Sequence, residues 1–97
     1  MEMKKALRQQ QNEINDYALY SAFASMEKDV HNKSVYARIA REEKEHYMFW
    51  EKITGKKVEP NRWLIKWYML LAMLLGTSFA LKLAERREKE AQNLYRS

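Results

Sequence analysis

Glycine and proline interrupt this chain at only three of its 97 positions, Gly55, Pro60 and Gly76. So few turn-formers leave little room for chain reversals. A hydrophobic fraction of 46% with 32% charged residues fits amphipathic helices rather than disorder. The length suits one domain with a limited core, which favours assembly with further copies. The expected fold class is therefore all-α, a single domain over residues 1–97.

Three helices are expected. The first runs from about Met3 to Lys28, with Ala6, Leu7, Gln10, Ile14, Tyr17, Ala18, Ser21 and Ala24 along one side. Asp29–Lys33 breaks this pattern as a tight turn, and Asn32 or Ser34 is placed to cap the next helix. The second helix runs from about Ser34 to Ile53 and stops at Gly55. So short a turn makes the two helices an antiparallel hairpin. After a connection over 55–61, Asn61 caps a long third helix from about Arg62 to Tyr95, with Gly76 marking a bend or a close helix contact.

Charge and composition narrow the function classes. The net charge of +5 is spread along the chain, with no dense basic block interleaved with aromatics, so no nucleic-acid partner is expected. The polar N-terminus has no apolar core of a signal peptide. The absence of cysteine excludes disulfides, zinc ribbons and iron–sulfur clusters. It is compatible with a cytoplasmic location. Between Lys66 and Lys82 lie fifteen residues without charge, flanked by Trp63, Trp67 and Tyr68. A span needs roughly 20 residues, so this segment is expected to be covered by other helices or a partner chain, not by a membrane.

The second helix carries a stripe at Val35, Ile39, Glu43, His46, Trp50 and Ile53, in steps of four, four, three, four and three. That is the period of a buried helix face. A carboxylate and an imidazole there must be paired, protonated or bound to metal. Positions three apart share a helix face, so Glu43 can bridge two metals while His46 binds one. Glu13, on the facing helix, supplies a further ligand. Hard carboxylates with imidazole suit iron, and zinc or manganese would take a similar set. Glu42 points about 100° away, toward solvent or an adjacent helix, Glu45 is expected to be exposed, and His31 in the turn is expected as a surface or capping residue. Tyr17 and Tyr20 follow Glu13 on its own face. Each is either aromatic core or a phenol that bonds a ligand carboxylate or supplies an electron, and Tyr20 is the candidate for the catalytic role. Glu88 and Tyr95 repeat the offset of Glu13 and Tyr20.

The stretches Glu-Ile-Asn-Asp-Tyr-Ala-Leu-Tyr (13–20), Ile-Ala-Arg-Glu-Glu-Lys-Glu-His (39–46), Thr-Gly-Lys-Lys-Val-Glu-Pro-Asn-Arg (54–62) and Leu-Gly-Thr-Ser-Phe-Ala-Leu-Lys-Leu-Ala-Glu-Arg-Arg-Glu (75–88) together resemble the ferritin-like superfamily, and within it the rubrerythrin-type domain. They are similar to the domain that precedes vacuolar-iron-transporter-type membrane domains. The resemblance implies a di-iron site with Glu13, Glu43 and His46 as ligands, and a third-helix carboxylate at Glu85 or Glu88. The family's complete domain adds a fourth helix with a second Glu-x-x-His, whereas the only other histidine here is His31. The expected repair is a homodimer or larger homo-oligomer. Two hairpins pair, as in the short-subunit encapsulated ferritins, and complete a four-helix-type bundle. The implied activity is oxidation of Fe(II) by oxygen or peroxide, in iron handling or oxidative-stress defence. Without cysteine, the built-in electron relay of rubrerythrins is missing. The alternatives are a regulatory or delivery module of an iron transporter, or a structural helical module that binds another metal.

Overall fold

The computed structural model describes residues 2–96, except the side chains of residue 88 and residues 91–96. Among the described residues there are four helices and no strand: α1 (Glu2–Met26), α2 (Val30–Thr54), α3 (Arg62–Leu75) and α4 (Thr77–Arg96). No helix among them is long and apolar enough to cross a membrane.

Helices α1 and α2 run antiparallel, joined by a shorter turn than the sequence pattern implies. Helix α2 starts at Val30, not near Ser34, because Asp29 takes the capping position and its carboxylate accepts from the backbone N–H of Asn32 at 2.9 Å. That satisfies an otherwise orphaned donor of the first turn. His31 therefore lies in the first turn of α2, exposed, rather than in a loop. The other ends follow expectation. Gly55 closes α2 in the left-handed conformation at φ 67°, and Asn61 caps α3 by accepting from Leu64 N–H at 3.2 Å.

The single long third helix is not what forms. Gly76 adopts φ 95° and ψ 155°, a region essentially restricted to glycine. The break separates α3 from α4, and α4 packs back against α3. Glu27, just past α1, accepts a hydrogen bond from Thr77 Oγ1, which in turn accepts from the Tyr36 hydroxyl. The start of α4 is thus tied to the turn of the hairpin.

The core lies where α1, α2, α3 and α4 meet. Leu19, Phe23, Tyr36, Tyr68, Ala72 and Ala80 form one buried cluster. Phe23 is fully buried, with its ring 5.9 Å from that of Tyr36 and 6.4 Å from that of Tyr20. This junction explains why Leu19 and Phe23 are buried on α1, while the expected Tyr17, Ala18, Ser21 and Ala24 are half-buried. Helix α1 faces α3 as well as α2.

At the other end of the hairpin, polar side chains of α1 hold the 55–61 connection. Gln10 is fully buried; it accepts from Thr54 Oγ1 and donates to the Lys56 carbonyl, both at 2.7 Å. Gln11 donates to the Glu59 carbonyl, and Asn15 accepts from Asn61 N–H. The Tyr47 hydroxyl accepts from Val58 N–H. Buried polar groups of this kind are tolerable only when paired, and here the pairing sets the register of α1 against α2.

Candidate metal centre

Between the Gln10–Thr54 lock and the aromatic junction, Glu13 of α1 meets Glu43 and His46 of α2. Nδ1 of His46 lies 2.9 Å from Glu43 Oε1 and 3.3 Å from Glu13 Oε2. One ligand atom from each of the three lies within 4.8 Å of the others. The i, i+3 spacing on α2 places Glu43 and His46 on adjacent turns of one face. The antiparallel register brings Glu13 to that face from α1.

The burial differs from the sequence expectation. In the single chain, the face of α2 that packs inward is Tyr36, Ala40, Tyr47 and Thr54. Val35, Ile39, Glu43 and Trp50 are half-buried at its margin, and His46 and Ile53 are exposed. The side chains of Glu13 and Glu43 retain only 16% and 17% exposure, against 59% for His46. The cluster is therefore a shallow site: two carboxylates at its floor and an imidazole at its open edge. Met48, Phe49 and Ile53 are exposed nearby in sequence on the same helix.

The electrostatics are those of anionic groups crowded without a cation. Glu13 has its pKa pushed up to about 7, first by burial, then by the charge of Glu43 and a hydrogen bond to that carboxyl. Burial alone would lower the pKa of His46. The negative charge of Glu13, with hydrogen bonds donated by the imidazole to both carboxylates, overrides that and raises it. Protons thus occupy a position where like charges cannot all persist. A divalent cation relieves the same crowding without protonating any ligand. Two carboxylates and one imidazole within this span make a donor set that fits Fe(II), and equally Mn(II) or Zn(II).

The remaining sequence candidates fall elsewhere. Glu85 is exposed and stands outside the cluster. The Glu88 side chain, like that of Tyr95, lies outside the described residues. Tyr20 is half-buried and packs its ring against Phe23 and Tyr36, 6.2 Å from the latter, as part of the aromatic junction. Glu42 and Glu45 are exposed, as expected. One feature escaped the sequence reading. Lys44 projects its ammonium over the ring of Tyr17 at 4.7 Å and near that of Tyr47 at 5.7 Å. The cation thus rests on two aromatic rings, one position along α2 from Glu43. Its signal was the three-residue offset between Lys44 and Tyr47 on one helix.

No protein-family model, curated protein or solved structure matches the chain. The chemistry of the site therefore rests on its own geometry.

Proposed function

We propose that this chain is an iron-binding protein of the ferritin-like, rubrerythrin type, which oxidises Fe(II) with oxygen or peroxide at a di-iron carboxylate site shared by two copies. The observation that carries the reading is the convergence of Glu13 with Glu43 and His46 within 4.8 Å. Three ligands from one chain make half of the usual di-iron set. The exposed edge at His46, flanked along α2 by Phe49 and Ile53, favours a second copy that brings the other half.

In such a pair the carboxylates hold and bridge the substrate ions and neutralise their charge, while each imidazole binds one ion terminally. Two Fe(II) ions give up one electron each. Oxygen takes both electrons with two protons to become hydrogen peroxide, or peroxide takes them with two protons to become two waters. Glu13 and His46, whose affinity for protons is raised in the metal-free site, would release protons as the ions enter.

The test is an aerobic Fe(II) titration followed by near-ultraviolet absorbance, combined with native mass and iron per subunit. The expected result is a dimer or larger assembly with one iron per chain, and loss of the signal in Glu43→Ala and His46→Ala. A stable monomer that binds two irons, or variants that oxidise iron as the parent does, would sink the reading. A site that takes up zinc or manganese and leaves Fe(II) oxidation at the background rate would instead make the chain a structural or regulatory metal module.

A further inference from the structure

Helix α3 carries large apolar side chains on its exposed side as well as on its covered one. Leu64, Ile65, Tyr68, Leu71 and Ala72 pack into or against the core. The opposite side carries Trp63, Trp67, Leu70 and Leu74, at 81%, 54%, 46% and 70% exposure. At about 100° per residue these four side chains span roughly 60° of arc, so they form a narrow ridge. Arg62 and Lys66 flank one edge of that ridge, with the Lys66 ammonium 5.2 Å from the ring of Trp63. From Pro60 to Ala84 the sequence has three basic residues, Arg62, Lys66 and Lys82, and no acidic one.

We propose that α3 is a peripheral membrane-binding helix that lies flat in the headgroup region of an anionic bilayer, with Trp63, Trp67, Leu70 and Leu74 immersed. Fourteen residues make a helix of about 21 Å, too short for a hydrocarbon core of about 30 Å. Length excludes a span; it does not exclude a helix in the interface. Tryptophan favours that interface, and lysine and arginine beside an apolar ridge attract anionic lipid. Charge also discriminates between occupants. In a symmetric contact over this ridge, a second copy would bring a second Arg62 and Lys66 to the same interface, and α3 carries no carboxylate to offset them. A surface of phosphatidylglycerol meets them with the opposite sign. The inference does not depend on the metal reading, because the ridge shares no residue with Glu13, Glu43 or His46.

Vesicle flotation of the full chain at low salt, with phosphatidylcholine alone and with added phosphatidylglycerol, tests it, together with tryptophan emission. The expected result is flotation with the anionic vesicles, a blue-shifted emission, and weakening by added salt. The double variant Trp63→Ser/Trp67→Ser should lower vesicle affinity at least about tenfold, from lost apolar immersion. Lys66→Glu should lower it by a similar factor on anionic vesicles only. Both variants alter exposed side chains, so helicity and metal titration should match the parent. Failure of the parent to float would overturn the proposal, as would flotation indifferent to both changes. Self-association that vanishes in the tryptophan variant, without vesicle binding, would assign the ridge to a second copy instead.

Discussion

Metal binding at Glu13, Glu43 and His46 should weaken steeply as the solution is acidified, by an amount that follows from Glu13. Its carboxyl titrates at about 7 in the metal-free fold. A bound cation needs it ionised, so the apparent association constant scales with the ionised fraction. That fraction is about ten-elevenths at pH 8 and about one-eleventh at pH 6, so Glu13 alone changes the affinity about tenfold across this window. His46, also raised from its ordinary value, must lose a proton too and adds a factor of the same sign. Binding of Co(II), followed by its visible absorbance in a non-coordinating buffer at several pH values, reads this slope. Proton release on binding, measured in weak buffer, counts the same protons independently. Glu13→Gln should bind less tightly at pH 8 and show a shallower slope, because one titrating ligand is gone. An affinity that is flat between pH 6 and 8, or a Glu13→Gln profile that overlays the parent, would refute the assignment of these side chains as the ligands.

The same shift has the opposite sign for the metal-free fold. A carboxyl whose folded pKa lies above its unfolded value binds its proton more tightly when folded. Its contribution to stability is complete below about 4.5 and is lost as the pH rises through about 7. His46 acts in the same direction, with its contribution lost above its raised folded value. Thermal melts without metal should therefore move downward from pH 5 to 8, and saturating metal should shift the midpoint most at the alkaline end.

Three stability predictions follow from packing. Phe23→Ala empties a fully buried site in the aromatic junction and should cost about 3–5 kcal/mol in urea unfolding, with near-complete loss of native signal if the parent is marginal. Gln10→Ala takes the amide away from the Thr54 hydroxyl and the Lys56 carbonyl and leaves them only their mutual contact at 3.4 Å; a loss of about 1–3 kcal/mol should appear as a lower urea midpoint. Gly76→Ala has open space for its methyl group but forces an L-residue into φ 95°; a loss of about 1–3 kcal/mol is expected despite alanine's helix propensity.

The three metal-ligand candidates were legible because their signal is local to helices. A Glu-x-x-His spacing guarantees a shared face on α2, and a hairpin with a short turn limits where Glu13 can fall. Gly55 and Asn61 were legible for a similar reason, since caps act within four residues. Less legible was anything decided between helices. Asp29 displaced Asn32 and Ser34 as cap by starting α2 earlier, a choice set by the turn as a whole. The buried face of α2 sits one position around from the stripe at Val35, Ile39 and His46, because Tyr36 and Tyr47 reach hydroxyl partners at Thr77 and Val58 while their rings stay covered. An apolarity scale treats these tyrosines as marginal and misses their packing. Gly76 is expected from sequence to mark a bend or a close contact within one long helix, and the chain breaks there instead; the tie between Thr77 and Glu27 accompanies the break.

What holds the candidate centre in shape is the register of α1 against α2, and that register is pinned at both ends. Toward the 55–61 connection, Gln10 bonds Thr54 and Lys56; toward the turn, the ring of Phe23 packs at a tilt against that of Tyr36. Glu13 lies between these two anchors, one turn from the first. A slip of one residue along α1 would rotate its carboxylate about 100° away from Glu43 and His46. It would also strand the buried amide of Gln10. The polar run Gln-Gln-Gln-Asn before Glu13 therefore has a geometric role: it fastens the connection to α1 and so aims one carboxylate. Damage to the Gln10 lock should then weaken cation binding as well as the fold, although Gln10 itself touches no cation. Gln10→Ala that kept the parent's Co(II) affinity, under conditions where it remains folded, would show that the aromatic junction alone sets the register.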